Sequence, residues 1–248
     1  MIVVFVGKSG KTTNAVNVAA ALAERPVTRR AQRTRRVRFL DADLQGSVLE
    51  WAAQRTRPPL FEVREHTEPT IYRELAELLD GVDDLVIDCP AGTGRPGRAP
   101  DERTRIIRNA ILTALSERNG VVVGVVVPSG WELWANDDLM EVIEQAWEHE
   151  SAGPLARSRT VLLLNRAKTT RRGGQGRPDR VPRMVRAATE RLAQAPLPLL
   201  ATVIHDRAEF VEAPIHGLAV TEFAPHSPAA AEARALATEL LTLAGEAK

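Results

Sequence analysis

The sequence predicts an α/β fold, a mostly parallel twisted sheet with helices on both faces. Three observations predict it. Short β-branched runs recur along the chain, and most are continuously apolar, as strands buried on both faces should be. Segments of helical periodicity separate them, so each strand returns to the sheet through a helix. Neither an internal repeat nor a linker composition divides the 248 residues, so one domain spanning 1–248 is expected.

The first strand is the run Ile-Val-Val-Phe-Val at 2–6. A helix follows over 12–24, where Ala15, Val18, Ala19 and Leu22 fall at i, i+3, i+4 and i+7 on one face. The second strand covers 37–43 and leads into a short helix at 46–55; the third strand covers 60–65. Helical spacing over 70–80 precedes a fourth strand at 84–90, a run of Leu, Val and Ile that ends in Asp88. A helix over 105–118, a valine-rich strand at 121–128, a helix over 137–150 and a strand at 160–165 continue the alternation. A helix over 181–194 and a seventh strand at 199–204 follow. The last helix opens at Ser227, a side-chain N-cap, with Pro228 at the first helical position. Two loops are long, 91–104 and 166–179, and loops of that length carry function or disorder.

Composition narrows the function. Hydrophobic residues make up 44%, enough for a substantial core, and 33 basic against 32 acidic residues leave a net charge of +1. Any polyanion-binding character is therefore local. The single cysteine, Cys89, excludes an internal disulfide and fits a reducing compartment. No apolar run reaches membrane-spanning length and the amino terminus lacks the basic start of a signal peptide, so a cytoplasmic location is expected. His205, His216 and His226 sit at no metal-ligand spacing.

Three motifs carry the chemistry. In the first, Phe5 to Thr13, a strand runs through Gly7, Lys8, Ser9 and Gly10 into Lys11-Thr12 at the start of a helix. Backbone N–H groups at such a helix start attract phosphate oxygens. Lys11 would reach the terminal phosphates of a nucleotide, Thr12 would ligate Mg²⁺, and Gly10 would let the backbone approach closely. The standard phosphate-loop pattern wants glycine where Phe5 stands, so the loop is short when counted from Gly7, and a glycine-capped turn with an exposed lysine is the alternative. The second motif places Asp41 and Asp43 at the carboxyl end of a strand, where open α/β sheets hold ligands. One carboxylate would hold metal-bound water and the other the attacking water, unless one caps the helix at 46–55. The third is Asp88, a strand-end aspartate followed by small residues, the second Mg²⁺-associated element of phosphate-loop enzymes.

Taken in order, these motifs resemble the ParA-type partition ATPases, within the wider group of deviant-Walker ATPases that includes MinD. The resemblance covers nearly the whole chain. Its blocks run from "GKTTNAVNVAAALAER" through "DADLQGSVLEW", "VIDCPAG" and "LLLNRAK" to the segment between His205 and Leu241. It implies ATP and Mg²⁺ as cofactors, with Lys11 as the phosphate-loop lysine and Thr12 as metal ligand. Gly7, Ser9 and Gly10 would line the loop, with Thr13 beside the α-phosphate. Asp43 is implied to orient the attacking water, with Asp41 near the metal and Asp88 holding Mg²⁺ through water. Asn165 resembles the adenine-recognising asparagine, though a strand-end turn residue reads the same way. The family's signature lysine, which crosses to the partner subunit's nucleotide, falls at Val6; Lys8 is the available substitute. Leu44 stands where the family has proline.

The resemblance further implies a homodimer in the ATP state, non-specific binding to double-stranded DNA, nucleoid association and a ParB-like stimulating partner. Positioning of another nucleoid-borne cargo is the alternative within the family, and a non-hydrolysing DNA scaffold the alternative outside it. Two basic runs are candidates for DNA contact. Residues 25–38 hold seven arginines and no acid; residues 166–186 hold eight Arg or Lys against Asp179, with Arg166, Lys168, Arg171, Arg172, Arg177 and Arg180 as the assigned contacts. Solvated charge runs are the plain alternative. The C-terminal helix carries Glu239 and Glu246 with only Lys248 basic at its end, so it is not expected to bind an anionic membrane.

Overall fold

A computed structural model describes residues 1–28, 32–92, 101–129, 136–149, 155–169 and 181–246. Six strands form one parallel sheet: β1 (Ile2–Gly7), β2 (Val37–Asp41), β3 (Glu62–Glu65), β4 (Asp84–Asp88), β5 (Gly120–Val126) and β6 (Thr160–Leu164). Their spatial order is β3-β2-β4-β1-β5-β6. Every residue of β1, β2, β4, β5 and β6 is buried, which is why these strands read as mostly apolar runs. The edge strand β3 has one partner and stays partly exposed.

The described helices are α1 (Lys11–Ala23), α2 (Ser47–Ala53), α3 (Ile71–Leu79), α4 (Glu102–Ser116), α5 (Asn136–Trp147), α6 (Arg183–Leu192), α7 (Glu209–Ile215), α8 (Val220–Phe223) and α9 (Pro228–Leu243). They divide between two cores. Val3 and Phe5 of β1 point into the core built with α1, α2, α7, α8 and α9. Ile2, Val4 and Val6 point into the opposite core, built with α3, α4, α5 and α6. Ser227 caps α9 as its sequence predicts, accepting from the Ala230 N–H.

The seventh predicted strand forms only in part. Residues 199–206 run beside β6 and exchange bonds with it at Leu162, Leu164 and Ala167. Between these points the backbone turns off the sheet, because the Ala201 and Thr202 N–H groups donate to the Glu239 carboxylate on α9, at 2.7 and 2.9 Å. A side chain from a neighbouring helix takes up these two N–H groups, and apolar patterning carries no sign of that.

The described part of the arginine run at 25–38 lies between α1 and β2, where Pro26 and Thr34 form a bridge, and several of its arginines are engaged within the chain. Arg33 makes a two-pronged pair with Asp83, Arg35 is buried against Asp84 and Glu246, and Arg38 bonds Glu62 and the Glu77 and Leu78 carbonyls. Arg25 donates to Thr238 on α9. These guanidinium groups serve the fold: breaking one side of a buried pair such as Arg35–Asp84 typically costs about 3–5 kcal/mol. Arg29 and Arg30 lie outside the described residues.

Candidate nucleotide-binding site

The site forms where β1, β2 and β4 end together. Strand register sets Phe5 and Asp41 each beside Asp88, so the loop after β1 rises next to two strand-end carboxylates. Gly7 ends β1 at φ 131, and a Cβ there would stand 2.6 Å from the Val125 carbonyl oxygen. The tight exit from the strand therefore requires glycine. Gly10 closes the loop in the left-handed region, φ 82, and a Cβ on it would fall 2.0 Å from Asn165 Nδ2. As N-cap of α1, Gly10 offers no side-chain bond, and the first turn of the helix carries no acid. The positive end of α1 is thus left to an anion from outside the helix.

Lys11 is buried, 3% exposed, in the first turn. Thr12 donates its hydroxyl to Asp88 Oδ2 at 2.5 Å. The other carboxylate oxygen, Asp88 Oδ1, is buried without a hydrogen-bond partner. Burial pushes Asp88 up to about 7; the Lys11 charge and the Thr12 hydroxyl pull it down, and Asp41 and Asp43 push it further up. An orphaned carboxylate oxygen beside a threonine hydroxyl suits a hydrated divalent cation, so the residues present fit Mg²⁺.

Strand β2 ends at Asp41, so Asp41 and Asp43 do not simply alternate across the sheet. Asp41 accepts from the Asp43 N–H on one oxygen, 3.2 Å, and from the Val48 N–H at the start of α2 on the other, 3.1 Å. Burial raises its pKa, and those two N–H groups offset part of the rise. Asp41 thereby holds the loop that presents Asp43, the capping role left open by the sequence. Asp43 is half-buried and accepts from the Gln45 N–H at 3.1 Å.

Beside the loop opens a cleft of about 240 Å³. Gly10 and Thr13 line it together with Asn165 and Arg166, and with Ile204 to Arg207, Phe210 and Val211, the 204–206 segment running alongside Ala167. Asn165 is 3% exposed, and the next residue, Arg166, takes φ 54, a left-handed conformation rare outside glycine. Such strain accumulates at functional sites. Val6 is fully buried, whereas Lys8 is exposed at the loop tip.

The basic run after β6 divides. Arg166 lies at the cleft and Lys168 donates to Asp206 at 2.5 Å. Arg171, Arg172, Arg177 and Arg180 lie outside the described residues. Sequence reasoning missed the cleft residues His205, Asp206, Arg207 and Phe210. Their signal was present: His205, Asp206 and Arg207 lie directly past a predicted strand, at the carboxyl edge where ligands sit.

No protein-family model matches the chain. Maintenance of carboxysome distribution protein A of Halothiobacillus neapolitanus is 26% identical over 232 residues, 91% of this chain and 88% of that protein. Among solved structures, the cell division ATPase MinD of Pyrococcus furiosus matches with a TM-score of 0.63 and 21% identity over 98% of each chain. McdA of Cyanothece, solved as an ATP complex, matches with a TM-score of 0.62 and 13% identity, covering 97% of this chain and 96% of that one. The resemblance read from the motifs is borne out, and the fold is that of the ParA/MinD ATPases.

Proposed function

We propose, from the ParA/MinD fold as premise, that the protein is a Mg²⁺-dependent ATPase working as a switch that positions a cargo on nucleoid DNA. One observation carries the ATPase reading. Lys11, Thr12 and Asp88 converge at an uncapped helix start, with one Asp88 oxygen left unpartnered. A degenerate loop kept only as scaffold has no need of that arrangement.

Lys11 binds and neutralises the terminal phosphates, and the α1 N–H groups orient them. Thr12 and Asp88 hold Mg²⁺, which when bound neutralises phosphate charge. Asp43 orients the attacking water from a loop that Asp41 fixes. Asn165 meets the base in the cleft. The rate arises from positioning and charge, and the useful product is a change of state.

In the ATP state two copies close across their nucleotide faces and bind double-stranded DNA non-specifically; hydrolysis reopens them. Partition of DNA and positioning of another cargo share this cycle. The near full-length likeness to a protein named for carboxysome distribution favours cargo positioning. A stimulating partner then sits on the cargo, in the place that partition gives to a ParB-like protein. Among the described residues no helix is long and apolar enough to cross a membrane.

Lys8 takes the role of the signature lysine, since residue 6 is locked in the core and Lys8 is exposed. Measured by phosphate release and by light scattering, Lys8→Ala should lose ATP-dependent dimerisation and lower turnover on the order of 10²-fold. Unchanged values would remove Lys8 from the mechanism. Reversing charge at Arg171 and Arg172 should weaken DNA binding, most visibly as a shallower salt dependence, and leave ATP affinity intact. Equal DNA affinity would move the contact elsewhere.

A further inference from the structure

The cleft segment His205–Arg207 is held by the last helix, α9. Glu232 and Glu239 stand two turns apart on α9, on one face. Glu239 binds the Ala201 and Thr202 N–H groups. Glu232 accepts from the His205 N–H at 3.0 Å, meets His205 Nδ1 at 2.8 Å, and accepts from Arg207 Nε and Nη2 at 2.9 and 2.7 Å. His205 and Arg207 both line the cleft. The same helix packs in one core with α1, whose first turn is the phosphate loop. A single carboxylate thus ties the cleft segment His205–Arg207 to the helix that backs α1.

We propose that Glu232 is the positioning residue for the nucleoside half of the site. It fixes the distance between the segment His205–Arg207 and the loop at Gly10–Thr13, and so sets how well a base fits between them. Its carboxylate offsets the Arg207 charge and occupies two guanidinium donors, which holds that planar group in one orientation. The direct bonds of Glu232 go to His205 and Arg207 and not to Lys11, Thr12 or the α1 N–H groups, on which phosphate binding rests. The effect is therefore specific to ligands that carry a nucleoside. This inference rests on the reading of the cleft as a nucleotide site.

The test titrates full-length protein calorimetrically with ADP–Mg²⁺ and with pyrophosphate–Mg²⁺, for the unaltered chain, Glu232→Ala and Glu232→Gln. Glu232→Ala should weaken ADP about tenfold or more, the loss expected from removing several charge-assisted bonds, and leave pyrophosphate unchanged. Glu232→Gln keeps an acceptor oxygen and should fall between. In ATP turnover the alanine variant should raise KM with kcat retained. Loss of ADP and pyrophosphate together would assign Glu232 to general stability, and unchanged ADP affinity in both variants would remove it from the site; either result overturns the proposal. If the unaltered chain binds pyrophosphate but not ADP, the nucleotide reading fails first and takes this inference with it.

Discussion

Lys11→Ala is expected to lower ATP turnover on the order of 10²–10³-fold, the usual cost of removing one charge placed at the reacting phosphate. Lys11 is the buried cation of the site, 3% exposed, and its charge acts on Asp88 through a dry interior. A point charge there is screened far less than one in water. The variant should still fold, because Asp88 answers the loss of its neighbouring cation by staying protonated. Phosphate release under saturating ATP, with a thermal melt of the same sample, checks both halves. Retained turnover would place the phosphate site elsewhere; a lost fold would make Lys11 a structural cation.

Asp88→Asn should separate stability from function with opposite signs. Burial raises the Asp88 pKa to about 7, above the ordinary carboxylate value of 3.8. Below that ordinary value both folded and unfolded chains are protonated and the group contributes nothing. Between it and about 7 the folded chain holds the extra proton, so stability falls as pH rises through that window. Above the window the cost is on the order of 4 kcal/mol by linkage. Asparagine carries no charge and keeps an oxygen for the Thr12 hydroxyl. The nucleotide-free variant should therefore melt higher than the unaltered protein at pH 8, with the gap closing by pH 4. The same substitution should abolish Mg²⁺-dependent ATP binding, because the ionised oxygen that fits the metal is gone. In the unaltered protein, Mg²⁺-dependent binding should strengthen as pH rises toward 7. Melts at both pH values, with and without Mg²⁺ and ATP, check the pair of effects. A variant less stable at pH 8 would mean that Asp88 is ionised and satisfied without a metal.

The parallel sheet was legible because its inner strands are buried on both faces and carry little but apolar residues. The phosphate loop was legible because glycine is required at Gly7 and Gly10 by close backbone approach, and Lys11-Thr12 follows at once. Asp41 was half legible: the sequence allowed a capping role and a metal role, and only the hydrogen bonds to Asp43 and Val48 display the first. The intrachain partners of the arginine run at 25–38 were not legible, since composition gives charge and not its partners; Asp83, Asp84, Glu62 and Glu246 lie far along the chain or past a strand. The broken seventh strand and the cleft segment His205–Arg207 depend on Glu232 and Glu239 on the last described helix, contacts between residues some 25 to 40 positions apart that periodicity cannot express.

The central claim is that the site at Lys11, Thr12 and Asp88 is coupled to DNA. Fluorescence anisotropy of labelled duplex DNA, measured with no nucleotide, with ADP–Mg²⁺ and with ATP–Mg²⁺, tests it most directly. Binding should appear only with ATP–Mg²⁺ and be lost in Lys11→Ala. Equal binding in all three conditions would contradict it and would leave the basic surface acting alone, with no switch.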